Sequence, residues 1–167
     1  MPPSEPDRTD LEPAFNLFLP DPDATSGLGA ALGLALTAGD VVALTGDLGA
    51  GKSALSRAAI RARLGDPAAE VPSPTFTLVQ TYETDDLEIW HVDLYRLDGR
   101  ADAVELGLDE AFAEAASLIE WPDRLGPDLP RRALRIDIVH DGDGRRARIA
   151  APAEWRNRIE EVLRDAE

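Results

Sequence analysis

The sequence predicts a three-layer α/β fold: a central mixed sheet with antiparallel hairpin additions and helices on its faces. Helical and strand-like segments alternate along the chain, as they do in helix-covered sheets. The run Val41-Val42-Ala43-Leu44-Thr45 is apolar and rich in β-branched residues without polar alternation, the pattern of a strand buried on both faces. Asp141-Gly142-Asp143-Gly144 lies between two β-rich runs, and an Asp-Gly turn in that setting marks an antiparallel hairpin.

Residues 1–15 contain four prolines and several acids and are expected to form a flexible arm, with 16–167 as a single domain. Asp23 or Thr25 is placed to cap a helix reaching Thr37, because Leu28, Leu32 and Leu36 recur every four residues on one face. Ala38-Gly39-Asp40 turns the chain into the 41–45 strand. A second helix is expected from Gly51 to Leu64, stopped by Gly65-Asp66-Pro67. Thr77–Glu83 and Leu87–Val92 read as a hairpin about Thr84-Asp85-Asp86, and 101–115 as helix, divided at Gly107. Ser117–Glu120 is a short strand ended by Trp121-Pro122. Ala133–Val139 and Arg145–Ala150 flank the Asp-Gly turn, and Pro152 opens a last helix to about Arg164, carrying Trp155, Ile159, Val162 and Leu163 near one face.

The composition narrows the function. The chain has 167 residues, 32 acidic against 17 basic, for a net charge of −15. Such a body repels polyphosphate, which argues against tight autonomous nucleic-acid binding. The absence of cysteine excludes disulfides, thiolate metal sites and cysteine nucleophiles. No uncharged run reaches the roughly 20 residues of a membrane-spanning helix, and the start lacks a secretory pattern, so the expectation is a cytoplasmic protein with no membrane association. Lys52 is the sole lysine; every other basic residue is arginine.

That lysine lies in Gly46-Asp47-Leu48-Gly49-Ala50-Gly51-Lys52-Ser53, which satisfies G-x-x-x-x-G-K-[ST] between an expected strand and an expected helix. A chance match of this kind arises in roughly 0.5% of chains this long. Glycines let main-chain N–H groups wrap a phosphate and the helix N-terminus adds positive potential. Lys52 supplies a point charge for the β/γ oxygens, a role the planar arginine fork fills poorly, and Ser53 offers a hydroxyl to Mg²⁺. The predicted fold is accordingly P-loop NTPase-like.

A metal-side carboxylate is expected at a strand end near the phosphate site, and Asp93 and Glu120 are the two candidates. Thr75, in Pro72-Ser73-Pro74-Thr75-Phe76, sits either on a phosphate-sensing loop or on a rigid surface turn. His91 is read as facing away from the contacts of Asp93, in the core or on a partner surface rather than in catalysis. Trp121 is core, nucleotide-stacking or an interface anchor. Arg131, Arg132, Arg135, Arg145, Arg146 and Arg148 form a basic island that is either a solvated hairpin face or a contact for phosphate or an acidic partner.

The glycine loop, then Val71-Pro72-Ser73-Pro74-Thr75-Phe76-Thr77-Leu78-Val79, His91-Val92-Asp93-Leu94-Tyr95-Arg96-Leu97, Glu105-Leu106-Gly107 and Ile119-Glu120-Trp121-Pro122, in that order, resemble the TsaE (YjeE) family of bacterial tRNA threonylcarbamoyladenosine biosynthesis. The likeness covers roughly residues 18–150. It implies an ATPase using ATP and Mg²⁺ and acting with the TsaB and TsaD proteins. The resemblance further implies that those partners would hold the tRNA, so that this chain would meet it only indirectly.

By position, Ser53 and Glu120 match the family's Mg²⁺ ligands, Lys52 its phosphate lysine, Asp93 its strand-end acid and Thr75 its switch-loop threonine. Trp121 matches an aromatic important for activity. The nucleotide-binding set so implied is Gly46, Asp47, Leu48, Gly49, Ala50, Gly51, Lys52, Ser53, Ala54 and Trp121. Ser53 stands where threonine is usual. Two rivals share the loop: a small-molecule kinase, which requires an acceptor pocket, and a GTP switch, whose N-K-x-D base reader requires a second lysine that the sequence lacks.

Overall fold

The chain is described from a computed structural model covering residues 15–98 and 100–166. Strand β1 (Phe15–Leu19) leads into helix α1 (Pro22–Ala35), then β2 (Val41–Thr45), α2 (Lys52–Leu64), β3 (Val79–Glu83) and β4 (Glu88–Asp93). Two short helices follow, α3 (Arg100–Glu105) and α4 (Leu108–Glu114), then β5 (Ala116–Glu120), 3₁₀ turns over Pro122–Asp128, β6 (Leu134–Asp141), β7 (Gly144–Ala150) and α5 (Arg156–Ala166). The seven strands make one sheet in the order β1-β7-β6-β2-β5-β4-β3. The inner strands β6, β2, β5 and β4 run parallel, while β3 on one edge and β7 with β1 on the other are antiparallel additions.

Alternation along β2 shows why the sheet needs cover on both faces. Val42 and Leu44 join Leu28, Leu32, Leu36, Leu55 and Ile60 under α1 and α2. Val41 and Ala43 join Leu97, Leu108 and Phe112 on the opposite side. The three-layer mixed sheet read from the sequence is thus present, as is the leucine stripe of α1.

Several boundaries moved, each for a local reason. α1 begins earlier than expected because Asp21 is its cap, accepting from the Ala24 amide at 2.9 Å, with Pro22 in the first turn where its missing N–H costs nothing. The division of the helical stretch before β5 at Gly107 is as expected, and its φ of 77° makes the break. Pro152 precedes a single 3₁₀ turn, Ala153–Trp155, before α5 proper. Residues 1–14 of the expected arm lie outside the described residues, whereas Phe15–Leu19 is an edge strand that the sequence reading did not contain.

Two contacts fix the helices. A Cβ on Gly33 would lie 2.2 Å from the Ala59 carbonyl oxygen, so α1 and α2 approach closer than any side chain at that position permits. Arg158 of α5 grips Asp40 with both terminal nitrogens, at 2.7 and 3.0 Å, and stacks its guanidinium 3.8 Å from the centre of the Trp155 ring. This charge-assisted fork ties the last helix to the turn between α1 and β2.

Because the obstacle at Gly33 is main chain, it cannot rotate away. Gly33→Ala is expected to destabilise by about 1–3 kcal/mol, the usual cost of overpacking, despite alanine's higher helix propensity. Urea denaturation followed by circular dichroism checks this; an unchanged midpoint would contradict the close approach.

Candidate functional site

The site lies where the parallel strands end. β2 delivers the chain into residues 46–51, and α2 starts at Lys52 with Gly51 as its cap. Gly46 is the most demanding position. Its φ is 145°, and a Cβ there would stand 2.5 Å from the Ile138 carbonyl oxygen, so neither conformation nor space admits a side chain. The adjacent strands carry acids to the same level: Leu44 is in register with Glu120, and Glu120 with Asp93. A cavity of about 310 Å³ results. It is lined by Leu48, Gly49, Gly51, Lys52, Ser53, Ala54, Thr75, Asp93, Glu120 and Trp121.

Ten of the expected site residues therefore converge on one cavity. Gly46, Asp47 and Ala50 belong to the loop without lining it: the carbonyls of Gly46 and Asp47 accept from the Lys52 ammonium, and Ala50 is buried beneath.

Lys52 is almost fully buried, and its ammonium also sits 4.3 Å from the centre of the Trp121 ring. Burial holds its pKa below the ordinary lysine value, opposed by the charges of Glu120, Asp93 and Asp47. Trp121 reaches this position from a left-handed backbone, φ 58° and ψ 51°, a conformation costing a non-glycine residue on the order of 1–3 kcal/mol. Tyr95 tilts against the indole with ring centres 5.0 Å apart.

The acids are held on fixed partners. Ser53 Oγ donates to Glu120 Oε1 at 2.8 Å, and Glu120 Oε2 lies 2.7 Å from His91 Nε2. Asp93 Oδ1 accepts from the Tyr95 amide at 2.9 Å, and its Oδ2 accepts from Thr75 Oγ1 at 3.1 Å. Thr75 therefore lies beside the acids, and Ser73 is bonded to it at 2.7 Å.

The sequence reading placed His91 on the face away from Asp93. The structure corrects this: residues two apart on a strand share a face, and His91 bonds Glu120 while Asp93 lines the same cavity as Glu120. The strand period contained that signal.

Arg145, read only as part of a basic island, donates to the Ala50 carbonyl at 3.2 Å and to the Gly49 carbonyl at 3.5 Å, bracing the loop from β7. It also borders a second cavity, of about 250 Å³, on the other flank of the loop. That cavity shares Gly49, Gly51 and Ala54 with the first and adds Leu19, Asp21, Pro22 and Thr25. No sequence signal linked β1 to the loop.

The residues suit a magnesium ion bound with phosphate. A serine hydroxyl and a carboxylate, 2.8 Å apart and both hard oxygen donors, form a partial shell of the kind Mg²⁺ completes with phosphate oxygens and water. Among the described residues no group of three or more His, Cys, Asp or Glu forms an independent cage.

A glycine loop joining a doubly buried parallel strand to a helix, with a buried ammonium and two strand-end carboxylates around it, places the chain in the P-loop NTPase class of α/β proteins. The family model described as "Threonylcarbamoyl adenosine biosynthesis protein TsaE" matches residues 19–149, and the chain belongs to the TsaE family. It is similar to the tRNA threonylcarbamoyladenosine biosynthesis protein TsaE of Rickettsia bellii, 36% identical over 74% of this chain and 85% of that one. The protein of the same name from Nostoc sp. is 33% identical over 84% and 87%, respectively. Among solved structures, Bacillus subtilis YdiB superposes with a TM-score of 0.75 at 28% identity, covering 92% of this chain and 96% of that one.

Arg145 supplies a test of the loop's support. Arg145→Ala removes hydrogen bonds worth about 1 kcal/mol to local opening, so amide hydrogen exchange over residues 46–53 is expected to rise by roughly fivefold. Exchange in the core of β2 should stay unchanged.

Proposed function

We propose that this chain is the ATP-hydrolysing component of the bacterial machinery that attaches threonylcarbamoyl to N6 of adenosine 37 in tRNA, acting with TsaB and TsaD in the cytoplasm. The single observation that carries the reading is the convergence of Lys52, Ser53 and Glu120 on the mouth of the glycine loop in a chain of this family. The acidic net charge favours partners, rather than this chain, holding the RNA.

The triphosphate would lie across the loop, its phosphates in the cavity of Lys52 and its nucleoside toward the cavity bordered by Thr25 and Arg145. Main-chain amides and Lys52 would offset charge on the β and γ phosphates, most strongly as charge builds in the transition state. Lys52 is suited to this because its ammonium is buried and, among the described residues, its direct contacts are the carbonyls of its own loop and the Trp121 ring. Ser53 and Glu120 would hold Mg²⁺, which when bound neutralises developing charge on the phosphate oxygens.

Thr75 and Asp93 form the second half of the mechanism. The Thr75 hydroxyl occupies Asp93 Oδ2. When that hydroxyl turns to a γ-phosphate oxygen, Oδ2 is released to accept from and orient the attacking water. The water oxygen bonds to the γ phosphorus as the bond to the β–γ bridging oxygen breaks, giving ADP and hydrogen phosphate, with one water proton kept on the phosphate and the other released to solvent. A γ-phosphate is thereby read by the 72–78 loop in the same event that frees the carboxylate.

Reconstituted tRNA modification with TsaB and TsaD tests the proposal. The wild-type chain is expected to sustain multiple turnover with release of inorganic phosphate, and Lys52→Ala to lower turnover by about 10²- to 10³-fold. Undiminished turnover by the variant would remove the proposed role, and γ-phosphate appearing on a metabolite would favour a kinase.

A further inference from the structure

His91 is a buried imidazole whose hydrogen-bond partner among the described residues is Glu120. It lies on β4, in register with Leu118, and reaches diagonally across to Glu120 on the neighbouring strand. An ionised carboxylate only accepts, so Nε2 carries the hydrogen and donates to Oε2. The other ring nitrogen, Nδ1, is buried with no hydrogen-bond partner among the described residues.

A histidine retained for packing would be replaceable by an apolar residue that leaves no nitrogen unsatisfied, and an unsatisfied buried nitrogen is unfavourable. The position instead keeps one good bond, at 2.7 Å, to a carboxylate whose other oxygen is already engaged by Ser53 at 2.8 Å. Two donors on opposite oxygens fix both the direction and the rotation of the carboxylate plane. With Oε2 held from the β4 side, Oε1 stays aimed at the start of α2. A carboxylate held on one oxygen alone would swing about its last bond and spread Oε1 over several positions.

We propose that His91 is a positioning residue for Glu120: its Nε2–H holds Oε2 so that Oε1 remains directed at the Ser53 hydroxyl, setting the affinity of the pair for Mg²⁺ in the presence of nucleotide. The proposal rests on the reading of Glu120 and Ser53 as the magnesium side of the site. Partners that orient a ligating carboxylate commonly control metal affinity by about 10- to 100-fold.

The test uses the full chain and calorimetric titration of ADP at a series of Mg²⁺ concentrations, so that the readout is the Mg²⁺ midpoint of nucleotide binding and not turnover. Three variants separate a donor from a filler. His91→Gln places an amide N–H at the reach of Nε2. His91→Asn carries the same group one bond short, and His91→Leu has no donor. His91→Leu and His91→Asn are expected to raise the midpoint by about tenfold or more, while His91→Gln stays close to wild type.

Thermal denaturation of each variant accompanies the titrations. Should His91→Leu fail to fold, the contrast between Gln and Asn carries the test alone. Equal midpoints in all variants, or a shift for Gln as large as for Leu, would overturn the proposal. Failure of the wild-type chain to bind any nucleotide is a different result, and would overturn the reading of the site itself.

Discussion

The site depends on one row of backbone pairing. Leu44, Glu120 and Asp93 lie side by side across β2, β5 and β4, so the glycine loop and both carboxylates leave the sheet at the same level. Parallel pairing makes this row rigid, because every strand in it is buried on both faces and a slip of one residue would turn each apolar set toward the wrong layer. The side chains are then positioned by the sheet and not by loops. Ser53, two residues into the cavity wall, meets Glu120 because α2 must begin where β2 ends.

Charge within this row is concentrated at the mouth of the glycine loop. Lys52 is buried, its charged form is disfavoured by that burial, and the oxygens it touches are main-chain carbonyls of its own loop. Glu120 and Asp93 are buried nearby with both oxygens of each engaged. The strained backbone of Trp121 belongs to the same account, since it is the conformation that brings the indole over the ammonium. A left-handed bulky residue persists only where surrounding structure holds it, and such residues gather at functional sites.

Most of this was legible in the sequence, and the exceptions have specific causes. The glycine loop carries its own context test, and the strand ends at Asp93 and Glu120 follow from apolar runs that stop at an acid. The stripe of Leu28, Leu32 and Leu36 and the break at Gly107 were readable because period and φ preference are local properties. β1 was not, since five residues at a sheet edge gain their stability from β7, about 130 positions away. Arg145 looked like a solvent charge because its partners are carbonyls, which no side-chain pattern reveals. His91 was misread although the period-two rule placed it correctly. Which strand stands beside β4, and hence which acid His91 meets, is a matter of topology that one strand does not encode.

The proposed function requires that this row of strand ends, with the lone lysine beside it, grip a nucleoside triphosphate. Calorimetric titration of ATP into the purified chain in magnesium buffer tests it most directly. The account predicts saturable uptake at one site per chain, abolished or strongly weakened when Ser53 and Glu120 are replaced together by alanine and glutamine. Absence of uptake by the wild-type chain, with TsaB and TsaD supplied, would contradict it, as would unaltered uptake by the double variant.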